Sequence, residues 1–306
     1  MKNNVSDLFN SHNYANAKNL ASYFLGESIY KPEDWTFFYL AQSASALGDY
    51  YMADEIFRYY LHARPEFKMT TISEIKRNAM RRRLCEPPKM RFYNGVDRYF
   101  YKELEYEPLT YDENFAKNAF AMVSRRGTMN YFASDKKAAF FELLKRLSFS
   151  FSAIKKPIDV YLVKGSDDFQ KVFDKVIKPL DAKAAFTWKG AAVGFYTDPT
   201  TYILFADYKY IEKDVVKTAG CMAHELMHFE QNNTGLHKIF LALPIQKSGF
   251  KEKESKILNE RVTDLQVIAK GYGYELHCDR RDLGMHCITN FDQYDVLKII
   301  DAGSQL

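Results

Sequence analysis

The residues of this chain best suited to chemistry are His224, Glu225 and His228, in the stretch CMAHELMHFEQ at 221–231. An α-helix turns about 100° per residue, so positions four apart lie about 40° apart on one face. On a helix, His224 and His228 therefore point the same way, one turn apart. Two neutral imidazoles so placed can bind one Zn2+. Glu225 stands beside the first imidazole, where a carboxylate can take a proton from water near the metal without being a ligand. The alternative is a core helix carrying two hydrogen-bonded histidines.

A third ligand is required. An extension of the motif with Gly and His at 231 and 234 is absent, because those positions are Gln231 and Thr234. Gly235 and His237 stand nearby but out of register. Further on comes Asn259-Glu260-Arg261-Val262-Thr263-Asp264. Glu260 can offer a carboxylate oxygen to the metal. Asp264, one helical turn later, can accept the outer N–H of a liganding histidine and fix its tautomer. An ordinary charged helix is the other reading of this segment.

The pairing of H-E-x-x-H with a downstream N-E-x-x-x-D resembles the gluzincin group of zinc metallopeptidases, typified by thermolysin. The resemblance covers the two motif helices and, loosely, the hairpin before them. It implies a zincin-like fold and one catalytic Zn2+ held by His224, His228 and Glu260, with water in the fourth position. It further implies Glu225 as general base, Asp264 as the partner behind a histidine, and hydrolysis of peptide bonds. An oxyanion donor is also implied, for which His277, His286, Tyr272 and Tyr274 are candidates that nothing in the sequence separates. Such enzymes offer a sheet edge on which substrate lies as an extended strand, and TTYILFAD (200–207) is the candidate.

The elements that must position these residues follow from the surrounding pattern. A helix is expected over about 212–231, and another over 253–270, where Ile257, Leu258, Val262, Leu265 and Ile268 line one side and Gly271 stops it. IDVYLV (158–163) reads as a strand, and 166–177 as a helix with Ser166 as N-cap. AAVGFYTDPTTYILFAD (191–207) reads as two strands joined at Asp198-Pro199. Residues 151–306 are thus expected to form an α+β domain.

Residues 1–150 read as an all-α, helical-repeat region. Within 35–65, Gly48, Tyr50, Ala53, Phe57 and Pro65 have the order and spacing of a tetratricopeptide (TPR) repeat. Tyr14, Ala17, Ala21 and Phe24 stand 36 positions before Tyr50, Ala53, Phe57 and Tyr60, which suggests an earlier partial repeat. Two repeats need neighbours to cover their apolar faces, and helices are expected at 70–84, 111–126 and 134–151. The stretch 85–110, with Pro87, Pro88 and Pro108, reads as irregular.

Other chemistry-bearing residues read less specifically. His277-Cys278 and His286-Cys287 could hold a second metal, but their spacing fits no zinc motif. Cys221 could touch the metal or simply pack. Glu230 reads as a solvated or structural acid. Lys76, Arg77, Arg81, Arg82 and Arg83 form either a solvated helix face or a contact for phosphates. The net charge of +4 does not by itself indicate nucleic acid. No apolar run is long enough to span a membrane, and four cysteines form no disulfide framework, so a cytoplasmic protein is expected.

The leading expectation is a zinc metallopeptidase acting on a protein or peptide substrate, whose TPR-like region selects substrate or a partner. One alternative is a TPR-like adaptor or regulator with a catalytically inactive zincin domain. Another is a protease of DNA-bound proteins that holds DNA through the basic helix at 76–83. Neither nucleic acid nor membrane is expected as a partner.

Overall fold

Two turns near the N-terminus repeat each other bond for bond. Helix α1 (Lys2–Asn10) is followed by α2 (Tyr14–Glu27), and α3 (Asp34–Ala46) by α4 (Tyr50–Ala63). At the first turn the His12 N–H bonds the Phe9 carbonyl at 3.0 Å, and the Asn13 N–H bonds the Leu8 carbonyl at 2.8 Å. At the second, Gly48 bonds Ser45 at 3.1 Å and Asp49 bonds Ala44 at 2.9 Å. Both are Schellman closures, which need a left-handed residue. His12 takes φ 61° and Gly48 takes φ 81°. Ala17 and Ala53, equivalent positions one offset apart, are wholly buried. Helix α5 (Lys68–Arg82) continues the array, and each of α2 to α5 packs on the helix before it.

The structure is a computed structural model. It describes residues 2–27, 34–63, 68–82, 84–95, 97–99, 143–144, 146–186, 188, 192–195, 200–232, 260, 262–273, 275–276 and 278–279. The expected helix at 111–126 lies outside these residues. Of the helix expected at 134–151, residues 143–144 and 146–151 are described, and all but the last, a turn residue, are helical.

The expectation of an all-α region over 1–150, with 85–110 irregular, is corrected. Strands β1 (Met90–Asn94) and β2 (Asp97–Tyr99) form there and pair as a hairpin, turned by Gly95 at φ 67°. β1 then pairs in parallel with β3 (Ile158–Val163). Arg91 grips Asp159 of β3 through both carboxylate oxygens, which ties the two strands side by side. The prolines at 87 and 88 hold the approach extended.

The sheet order is β2-β1-β3-β5-β4, where β4 is Ala192–Phe195 and β5 is Tyr202–Asp207. β3 and β5 are parallel, and β4 and β5 antiparallel as the hairpin expectation requires. Asp198 and Pro199 lie outside the described residues. β5 is buried at every position, as suits a parallel strand covered on both faces. Tyr161, Val163, Ile203 and Phe205 pack under α6 (Ser166–Val176), against Phe169 and Phe173. The opposite face (Val160, Leu162, Tyr202, Leu204) joins the larger core. Gly165, at φ 79°, caps α6, and Ser166 is its first residue rather than its cap.

The short α7 (Tyr208–Lys213) leads into α8 (Val215–Asn232), which carries the motif. Phe229 of α8 stacks on Tyr202 of β5 with ring centroids 4.6 Å apart. A helix through 262–270 follows and is interrupted at Gly271, φ 92°, where the sequence reading expected it to stop. Helical backbone resumes beyond, and Gly220 of α8 meets the backbone of Glu275 there. The chain is thus helix-rich with one mixed sheet, consistent with the α+β expectation at that level. No described helix is long and apolar enough to cross a membrane.

One hydrophobic core runs from Val5 to Leu276, joining the N-terminal helices to α8 and the 262–270 helix. A buried set of charges lies in the same place. Lys270 Nζ stands 2.6 Å from Asp49 and 2.9 Å from Glu230, and Lys18 Nζ stands 3.0 Å from Glu230 and 3.7 Å from Asp49. Two cations and two carboxylates, three from helices and Asp49 from the turn before α4, neutralise one another. Burial works against the charge on Glu230, but Lys270 and Lys18 outweigh it and hold its carboxyl down at about 2. Burial, then the neighbouring Glu230, push Asp49 up to about 6. Glu230 is therefore a structural acid rather than a solvated one.

Candidate metal centre

Helix geometry presents His224 and His228 together, as their spacing predicts. Their ring centroids are 4.6 Å apart and their planes nearly perpendicular, at 89°. The helix that includes Glu260 lies across them. His224 Nε2 is 2.9 Å from Glu260 Oε2 and 3.0 Å from His228 Nε2, and His228 Nε2 is 3.5 Å from Glu260 Oε2. A tetrahedral ion bonded at about 2.0–2.1 Å keeps its ligand atoms about 3.3 Å apart, so this triangle has the size of one face of a coordination tetrahedron. Among the described residues, these three form the group of His, Cys, Asp and Glu side chains able to hold a metal ion.

The donor set fits a cation. His224 Nδ1 lies 2.7 Å from Asp264 Oδ1, and Asp264 is fully buried. A carboxylate only accepts, so His224 carries its proton on Nδ1 and turns the Nε2 lone pair toward the cluster. The His228 Nδ1 faces Thr263 Oγ1 at 3.5 Å, which leaves its Nε2 aimed at the same point. Two lone pairs and a carboxylate oxygen then converge with no proton between them, an arrangement that a metal ion relieves.

Glu225 does not join the triangle. It is half-buried, and its Oε2 accepts the backbone N–H of Gly194 at 2.8 Å. One turn earlier, Cys221 Sγ reaches the Ala192 carbonyl at 3.6 Å. Helix α8 is thus laced to β4 by the side chains at 221 and 225. The expected substrate edge at 200–207 is corrected here. β5 is paired on both sides, by β3 and β4, and the outer strand beside α8 among the described residues is β4.

Tyr272 is buried, with its hydroxyl 2.7 Å from Ser150 Oγ and its ring stacked on Phe151. Burial pushes its phenol up. It is committed to packing. His277, His286 and Tyr274 lie outside the described residues, as do Cys287 and His237. Cys278 is buried. In the basic run, Arg82 pairs with Asp54 at 2.9 Å, Arg81 bonds Ser45 at 3.0 Å, and Arg77 pairs with Glu74. Arg81 and Arg82 thus serve helix packing, while the half-exposed Arg77 pairs within its own helix.

Sequence reasoning missed Thr263, Gln231 and Gln266. Thr263 Oγ1 donates to Gln231 Oε1 at 3.0 Å, and Gln231 Nε2 donates to Gln266 Oε1 at 2.8 Å, all three side chains being buried. A signal was present. Glu260, Thr263, Gln266 and Lys270 fall at helical spacing and make a polar stripe where a core helix would be apolar. No protein family model, no curated protein and no solved structure matches the chain.

Proposed function

We propose that the protein is a zinc-dependent metallopeptidase that hydrolyses peptide bonds of a protein or peptide substrate, and that its N-terminal helices with their TPR-like turns recognise substrate or a partner. The observation that carries this reading is the meeting of His224 Nε2, His228 Nε2 and Glu260 Oε2 within 2.9–3.5 Å, with Glu225 on the same helix. Two imidazoles and a carboxylate also suit iron. A carboxylate held beside the site but outside the ligand set is the part that hydrolysis needs, and it favours zinc.

When bound, zinc supplies Lewis acidity, which brings the pKa of a water toward about 7. The chain's residues do the rest. Glu225 takes a proton from the attacking water and passes it to the leaving amine. The Gly194 N–H holds one oxygen of Glu225, which fixes the carboxylate against β4. Asp264 keeps the His224 lone pair turned inward. A substrate strand would lie along β4, next to Glu225.

The test is metal analysis of the purified protein together with peptide cleavage by wild type and Glu225→Gln. One zinc per chain is expected in both, with cleavage about 10²–10⁴-fold lower in the variant. Cleavage unchanged by the substitution overturns the mechanism. Zinc without cleavage of a peptide library by wild type supports the adaptor reading instead.

A further inference from the structure

Buried hydrogen bonds lead from His228 to the N-terminal helix α2, and they run in one direction. Ser22 Oγ donates to the Lys18 carbonyl at 2.9 Å, so its oxygen is left to accept. Gln266 Nε2 donates to Ser22 Oγ at 2.9 Å and to Asn19 Oδ1 at 3.2 Å. That choice turns Gln266 Oε1 toward Gln231 Nε2, 2.8 Å away. Gln231 Oε1 then faces Thr263 and accepts a hydrogen bond from its hydroxyl at 3.0 Å. With its hydrogen spent, Thr263 Oγ1 can only accept from His228 Nδ1, at 3.5 Å the longest step. Each amide has one orientation consistent with its neighbours, and the direction starts at a backbone carbonyl of α2. Asn19, Ser22, Thr263 and Gln266 are fully buried, and Gln231 nearly so, so water does not compete.

We propose that α2 sets the tautomer and orientation of His228 through Ser22, Gln266, Gln231 and Thr263, which makes these positioning residues of the metal centre and the N-terminal helices part of its construction. This rests on the metal reading above. His224 and His228 are then held by different means: a carboxylate directly behind the first, and a neutral polar chain from another part of the molecule behind the second. A ligand histidine oriented by an outer partner typically loses 10- to 100-fold in metal affinity when that partner is removed.

The experiment uses the full chain, with zinc affinity from chelator competition and the His228 tautomer from ¹⁵N NMR, read with and without zinc. In wild type, His228 is expected to carry its proton on Nδ1 in both states. Thr263→Val keeps the side-chain shape and loses the hydroxyl, and Thr263→Ser does the reverse. Thr263→Val is expected to bind zinc about 10-fold or more weakly, and Thr263→Ser to retain wild-type affinity. A packing role predicts the opposite order. Ser22→Ala, a small change remote from the site, should shift affinity in the same direction by less. Wild-type affinity in both Thr263→Val and Ser22→Ala, or an unprotonated His228 Nδ1 in wild type, overturns the inference while leaving the metal site standing. A wild type that binds no zinc removes both.

Discussion

Gly194 gives its backbone N–H to the carboxylate of Glu225 across 2.8 Å, and the absence of a side chain at 194 is what allows it. A Cβ there would stand 2.7 Å from the Phe229 ring and 3.0 Å from Glu225 Oε2. Gly194→Ala must therefore push Glu225 and its helix away from β4. Misplacement of a catalytic group by about 1 Å can cost about 10²-fold in rate. Cleavage should fall by about that factor while zinc content stays at the wild-type level, as kinetics and metal analysis on one sample will read.

Asp264 is wholly buried behind His224 and accepts from its Nδ1. Asp264→Ala frees the ring to rotate or change tautomer. Zinc affinity is expected to fall about 10- to 100-fold in chelator competition. An unchanged affinity would mean that packing alone orients the ring.

Lys270 touches both Asp49 and Glu230 in the core. Lys270→Met leaves two carboxylates facing one remaining cation, Lys18. Removing one partner of a buried ion pair costs about 3–5 kcal/mol, read as a lower urea midpoint. Adding Asp49→Asn, which restores one charge of each sign, should recover part of the loss. A recovery of nothing would show that the four groups do not act together.

Gly220 sits where α8 crosses the backbone of 275–276. A Cβ at 220 would stand 2.2 Å from the Glu275 carbonyl oxygen and 2.8 Å from the Leu276 nitrogen. Backbone cannot step aside as a flexible side chain can, so Gly220→Ala should destabilise by about 3 kcal/mol. Thermal unfolding checks it, and a wild-type melting temperature would contradict the crossing.

The sequence alone determined whatever depends on backbone period. His224 and His228 share a face because four residues make about one turn, and Glu260 and Asp264 share one for the same reason. The left-handed turn at Gly48, the break (though not a stop) at Gly271 and the antiparallel β4–β5 pair were legible on the same local grounds. Tertiary structure alone decided what meets what across the chain. It put Glu260 against the two imidazoles, made β5 an inner strand, and drew 90–99 into the sheet. It also joined Lys18, Asp49, Glu230 and Lys270, up to 252 positions apart. Periodicity says which way a side chain faces on its own element. Which partner lies opposite depends on how the apolar faces of all the elements are buried at once, and charged residues such as Glu230 look like surface until that packing encloses them.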